Sequence, residues 1–265
     1  MGALYPNYRH SAASANSFRA NPSAFLWRWG FQQWGGTNAR MEMGTAAEAA
    51  AHAAYLRGLS PDETREYAVN LHISAMQGEV TDEARQAGLC AVAFVAVMRE
   101  QDWGALQSYN PLRRVQLDGL SREIPIQPAY VFERAVLDLK ATGASISEPR
   151  ADHVRQVSLY AAEYARPGFL LYAMPQNLPK HPEKLPWKTA PTRSLLFQIG
   201  RDEQVREVDN ILSDFRRIER FDRQFPNARA ATLMIPLCTD DFRWDDGDDR
   251  RAFDLWMEAE LENLE

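Results

Sequence analysis

Cysteine is scarce in this sequence, with only Cys90 and Cys238 among 265 residues. That scarcity excludes a disulfide framework, a four-cysteine zinc site and an iron–sulfur cluster. Both thiols are expected to be free and buried. Long apolar runs are missing too: none approaches the ~20 residues that cross a bilayer, and the opening MGALYPNYRHSAASANS has no apolar signal-peptide region. A cytoplasmic protein with no membrane partner is expected. Internal repeats and low-complexity linkers are also lacking, so the simplest division is one domain over residues 1–265. It would comprise a mainly helical portion (1–110), an α/β core (111–240) and an acidic helix or tail (241–265).

What is present is an ordinary globular composition, 45% hydrophobic and 25% charged, ample for a well-formed core. The net charge of -6 is unevenly spread. Residues 240–265 hold eleven acids against three arginines, a local -8, so the rest of the chain carries +2. The acidic end reads as a solvated face or tail, and the remaining surface is free to hold a basic groove.

Helix signals dominate the first hundred residues. Asn21-Pro22 supplies a cap and first position before SAFLWRWGF. Gly44 to Leu56, GTAAEAAAHAAYL, is an alanine-rich helix in which Thr45 and Glu48 have capping-box spacing. Ser60-Pro61-Asp62-Glu63 and Thr81-Asp82-Glu83 open two further helices. The pattern then changes. REIPIQPAYVFERAVLDLKAT carries extended, β-branched segments either side of VFER, as expected for two antiparallel strands. ADHVRQVSLYAAEYA has helical period, and GFLLYAM reads as a buried strand. A proline-rich basic stretch over residues 175–191 with Lys180, Lys184, Trp187 and Lys188 reads as a long loop, either solvated or contacting a ligand as a flap. A charged amphipathic helix follows from Arg201, and TLMIPLC is expected as a last short strand or buried turn.

VLDLKAT is the stretch that carries chemistry. On a strand, alternate side chains share a face, so Asp138 and Lys140 point one way while Leu137 and Leu139 pack the other. In the next helix Gln156 and Tyr160 are four apart and share a face. Upstream, Glu48 lies four residues after Gly44 among small side chains that would let another backbone approach closely. Each of these has a purely structural reading. Asp138 and Lys140 could be a strand-end ion pair, Glu48 the partner of Thr45 in a capping box, and Gln156 with Tyr160 a polar helix face. His52, one turn beyond Glu48, reads as a helix histidine.

Taken together, Asp138-Leu139-Lys140 with Gln156-x-x-x-Tyr160 and Gly44-x-x-x-Glu48 resembles the PD-(D/E)XK nuclease superfamily, in particular its RecB-like and phage-exonuclease-like branch. The serine-rich stretch SAASANSFRANPSAFLWRW over residues 11–29, with Pro22-x-x-Phe25, is similar to the opening of many members. The resemblance spans residues 11–174. It implies an α/β, restriction-endonuclease-like core with a central mixed sheet flanked by helices and a helical amino-terminal portion. It also implies a Mg²⁺- or Mn²⁺-dependent deoxyribonuclease, expected as an exonuclease in a recombination, repair, phage or defence setting. Glu48 and Asp138 would be metal ligands, joined by the main-chain carbonyl of Leu139, with Lys140 stabilising charge on the phosphate and Gln156 and Tyr160 positioning Lys140 or DNA. DNA is the implied partner, and both a homo-oligomer and a larger recombination or defence complex are compatible with it. One departure stands out. The family's acid on the preceding strand falls here between Arg122 and Pro128, where Glu123 is the one acid and Gln127 and Pro128 hold the usual place; Asp118 lies further upstream. Either Glu123 serves as a catalytic-site metal ligand or a neutral amide replaces it, and in the latter case the chain would be a weakened or inactive nuclease-fold protein acting as a DNA-binding or scaffolding subunit.

Overall fold

The computed structural model describes residues 2–4, 8–32, 38–176, 190–234, 251 and 253–258. Within these the chain forms two compact units, one of residues 37–112 and 127–206, the other of residues 1–36, 113–126 and 207–265.

The first unit is α/β. Three helices, α3 (Ala39–Arg57), α4 (Pro61–Ala75) and α5 (Asp82–Glu100), precede the strands. Ser60 and Glu63 form a reciprocal capping box at α4, and the Thr81 hydroxyl accepts from Ala84 N–H at α5, as their sequences predict. The start of α3 differs from expectation. Asn38 caps it by accepting from Met41 N–H, so Thr45 lies inside the helix and its hydroxyl donates to the Met41 carbonyl at 3.3 Å. Glu48 therefore has no capping duty. Nor does Gly44 admit a neighbour, since a Cβ there would meet nothing within 4 Å. The close packing falls instead on Ala46, Ala47, Ala50, Ala51 and Ala54, which are buried with Ala87, Cys90, Ala91 and Phe94 of α5 in one core.

The sheet runs in the order β1-β4-β5-β6-β7, over Leu106–Tyr109, Tyr130–Phe132, Val136–Ala141, Gly168–Pro175 and Thr192–Gln198. Among the described strands only β5 and β6 pair in parallel; the crossover between them contains α6 (Ala151–Tyr164). The expected hairpin is present, but Tyr130, Val131 and Phe132 are themselves strand, and the turn lies over residues 133–135. Strand β7 was not anticipated: TRSLLFQ lies half-buried at the sheet edge and shows no clean alternation. Leu137, Leu139 and Leu171 pack against the helices of the first core. Leu170 and Tyr172, the partners of Asp138 and Lys140 across the β5–β6 ladder, pack with Val154 and Val157 of α6. Gly168 permits this closeness, since a Cβ would come within 2.7 Å of the Val157 side chain. Cys90 is a free buried thiol whose pKa burial pushes up to about 12; Cys238 lies outside the described residues.

The second unit contains α1 (Ala12–Ala20), α2 (Pro22–Trp29), a two-stranded sheet of β2 (Arg113–Val115) and β3 (Ile124–Ile126), the part of α7 (Arg201–Gln224) after residue 206, and α8 (Ala228–Met234). Asn21 caps α2 with Pro22 at its first position, as expected. Three chain segments meet on one buried carboxylate: Glu219 accepts from Ser121 N–H at 2.7 Å and Ser121 O–H at 2.9 Å, and lies 3.1 Å from His10 Nε2. Thr232 to Met234 close α8, so the start of TLMIPLC is helix rather than strand. The rest of that stretch, most of the proline-rich basic stretch expected as a loop (residues 177–189 of 175–191) and most of the acidic end fall outside the described residues, although residues 253–258 are helical.

Candidate active site

Strand β4 is short and pairs with β5 only at Val136 and Leu137. Beyond that point β5 has no described ladder partner on the β4 side, and Asp138 and Lys140 occupy the open stretch. Asp138 is buried, 5% exposed. Its Oδ2 lies 2.7 Å from Lys140 Nζ as an ion pair, but the angles are not those of a hydrogen bond, so that oxygen has no hydrogen-bond donor. Lys140 Nζ donates to Gln156 Oε1 at 3.0 Å, and Gln156 Nε2 donates to the Tyr160 hydroxyl at 2.6 Å. Lysine has no acceptor, so the contact itself fixes which end of the Gln156 amide faces it.

Tyr160 is buried and stays neutral, its pKa raised by burial and further by the charge of Asp138. Its oxygen also takes a main-chain contact from Gln127, next to the hydrogen bond from Gln156. With both contacts accepted, the hydroxyl hydrogen remains to donate elsewhere. Gln127 thus lies beside this chain of contacts through its backbone, while the residue is exposed overall.

Glu48 comes from α3. Burial raises its pKa, the Asn110 side chain lowers it, and the Asp138 charge raises it again, so the two carboxylates feel one another. Like Asp138 Oδ2, Glu48 Oε1 is buried without a hydrogen-bond partner. Tyr109 and Tyr130 border Glu48, and burial followed by neighbouring charge or hydroxyl groups pushes both phenols up, Tyr109 to about 12. His52 lies face to face on Tyr109, ring centroids 3.5 Å apart. It is a packed helix histidine with its pKa lowered by burial and by Arg57.

Glu48 Oε1, buried without a hydrogen-bond partner, and Asp138 Oδ2, met by Lys140 as an ion pair, are oxygens of the kind a hard divalent cation binds. Among the described residues no group of three His, Cys, Asp or Glu side chains comes together to hold a metal. Glu123 precedes β3 in the other unit, with Arg9 at 4.0 Å and Arg114 at 3.8 Å. Asp118 lies in that unit as well. Asn110, Tyr109, His153 and Tyr172 escaped the sequence reading. Only His153 had a usable signal, lying one turn before Gln156.

No protein-family model and no curated protein sequence matches the chain. Among solved structures, a "putative exonuclease" from Eubacterium rectale matches over 81% of this chain and 81% of its own, at 14% identity and a TM-score of 0.52. The structure of SSO0001 matches over 73% and 82%, at 13% identity and a TM-score of 0.29, which is too low to bear on the fold. The first match and the five-stranded mixed sheet flanked by helices give the chain a nuclease-like fold.

Proposed function

We propose that the chain is a metal-dependent deoxyribonuclease of the RecB-like and phage-exonuclease-like kind, hydrolysing phosphodiester bonds in DNA. The observation that carries this reading is the run of contacts from Asp138 through Lys140 and Gln156 to Tyr160, with Glu48 close enough to feel the Asp138 and Lys140 charges and its Oε1 buried without a hydrogen-bond partner. Mg²⁺ or Mn²⁺ would be held by Glu48 and Asp138, with the Leu139 carbonyl as a third oxygen, and would polarise the scissile phosphate and acidify water. Water oxygen adds to phosphorus, the P–O bond to the leaving strand breaks, and the leaving oxygen takes up a proton. Lys140, held by Asp138 and Gln156, places a cation where the phosphate gains negative charge. The Tyr160 hydroxyl hydrogen, left over after its two accepted contacts, is available to the same phosphate.

The test is degradation of linear DNA with and without a divalent metal. Cleavage is expected only with metal, and Asp138→Ala or Lys140→Ala should lower kcat by at least ~100-fold, the scale of removing one transition-state charge partner, while the thermal melt stays cooperative. Undiminished cleavage in both variants sinks the proposal.

A second reading, a catalytically weakened DNA-binding or scaffolding member of the fold, is favoured by the lack, among the described residues, of a third acid grouped with Glu48 and Asp138, and by the arginines around Glu123. Calorimetric titration separates the two: saturable Mn²⁺ binding is expected of the enzyme and none of the scaffold.

A further inference from the structure

One turn before Gln156, α6 carries a second polar cluster. Tyr172 lies opposite Lys140 in the β5–β6 ladder, so its side chain leaves the sheet on the Lys140 face. Its hydroxyl accepts from Arg150 N–H at 3.2 Å and lies 2.7 Å from His153 Nδ1. With one acceptor position taken by the main chain, the hydroxyl can still give its own hydrogen to His153 Nδ1 or accept one from it. In the first arrangement Nε2, the other ring nitrogen, bears the hydrogen. The closest carboxylate to Nε2 is Asp152 at 3.9 Å, too far to be its hydrogen-bond acceptor. Asp152 is in turn engaged by Arg150, through Nε at 3.4 Å and a terminal nitrogen at 3.5 Å. The His153 side chain is 21% exposed and that of Arg150 58%, so an imidazole that feels the Lys140 charge and a guanidinium three residues before it are both partly open to solvent. Burial, then the Lys140 charge, hold the His153 pKa down at about 4. The ring is accordingly a neutral donor at ordinary pH.

We propose that His153 and Arg150 form an anion subsite beside Lys140 that binds a phosphate of the DNA strand next to the one at Asp138. The proposal rests on the nuclease reading for its ligand. His153 here is a substrate-positioning group: Tyr172 orients it, its Nε2–H meets a non-bridging oxygen, and Arg150 exchanges part of its contact with Asp152 for the phosphate. Arginine suits such a role through its planar set of donors.

Inorganic phosphate, titrated into the full chain while the histidine ring resonances are followed by NMR, tests the subsite without requiring cleavage. A saturable shift of the His153 signal is expected, with the apparent affinity reduced ~10-fold in Arg150→Gln, the scale of one charge-assisted hydrogen bond. Absence of saturation at His153, or an affinity unchanged in Arg150→Gln, overturns the proposal. Steady-state DNA cleavage adds a second readout. His153→Ala should raise KM by ~10-fold with kcat within about threefold, and His153→Gln, which keeps an N–H donor, should recover part of the loss. A fall in kcat alongside the melting temperature, with KM unchanged, would instead mark His153 as structural. If the wild-type chain cleaves no DNA with any divalent metal, the nuclease reading falls, and the phosphate titration still decides the subsite.

Discussion

Glu48 is a carboxylate kept where it is costly to ionise. Its folded-state pKa is raised above the ordinary 4.5 by burial first, the Asn110 contact opposing and the Asp138 charge adding to it. An acid so shifted binds its proton more tightly folded than unfolded, and its ionisation therefore destabilises the fold as pH rises through the shifted value. Glu48→Gln removes the charge and keeps the shape. The metal-free variant is expected to be more stable than wild type at neutral pH by on the order of 1 kcal/mol, the scale of relieving one desolvated charge. Denaturant melts should show the gap narrowing as pH falls towards 4.5. Mn²⁺ should reverse the order: at about a hundred times its dissociation constant it stabilises the wild type by ~2.7 kcal/mol, and the variant by much less. A metal response equal in both proteins would remove Glu48 from the ligand set.

At the scale of the element, the helix that carries Glu48 is decided at Asn38, ten residues upstream. The Thr45–Glu48 spacing had the look of a helix start, but a capping box needs a first residue with free N–H groups around it, and Thr45 already lies inside helical hydrogen bonding. Asn38→Ala is expected to cost about 1 kcal/mol, whereas Thr45→Ala should be close to neutral, because that hydroxyl only bonds back to its own helix. Equilibrium unfolding of the two variants checks this, and the reverse ranking would place the helix start at Thr45. Strand β5 was more legible. Its alternation of leucines with charged residues is a direct consequence of the two-residue repeat. Its neighbours were not: β7 is half-buried along its length and so shows little of the hydrophobic alternation that marks a strand.

Across the whole molecule, the unit built from three separate chain segments is held at Glu219 and His10. Burial lowers the His10 pKa below 6.5, the Glu219 hydrogen bond partly opposing this. For Glu219, burial acts upward, but the hydrogen bonds from His10 and Ser121 outweigh it and hold the carboxyl below 4.5. Both shifts have one sign for stability. A histidine with a depressed folded pKa loses its contribution as pH falls below 6.5, where the unfolded chain takes up the proton, and the carboxylate loses its own as pH falls below 4.5. Amide hydrogen exchange in α1 and the C-terminal half of α7 is expected to quicken, relative to its intrinsic rate, between pH 7 and 5 in the wild type and to change little in His10→Gln. A flat wild-type profile would remove His10 from the acid response.

By itself the sequence determined the local matters: the caps at Asn21, Ser60 and Thr81, the helix of Gln156 and Tyr160, and the two faces of β5. Each follows from backbone hydrogen bonding and side-chain periodicity within a few residues. Only the tertiary structure decided which of these meet. The early end of β4 leaves Asp138 and Lys140 on an open strand, α6 brings Gln156 within 3.0 Å of Lys140 Nζ, and α3, packed through its alanines, brings the Glu48 charge to bear on Asp138. Those meetings depend on contacts between residues 16 to 90 positions apart in the chain, which no short-range pattern encodes. The same holds for His153: its spacing from Gln156 is visible in the sequence, but the hydroxyl 2.7 Å from its Nδ1 belongs to Tyr172, delivered by the neighbouring strand.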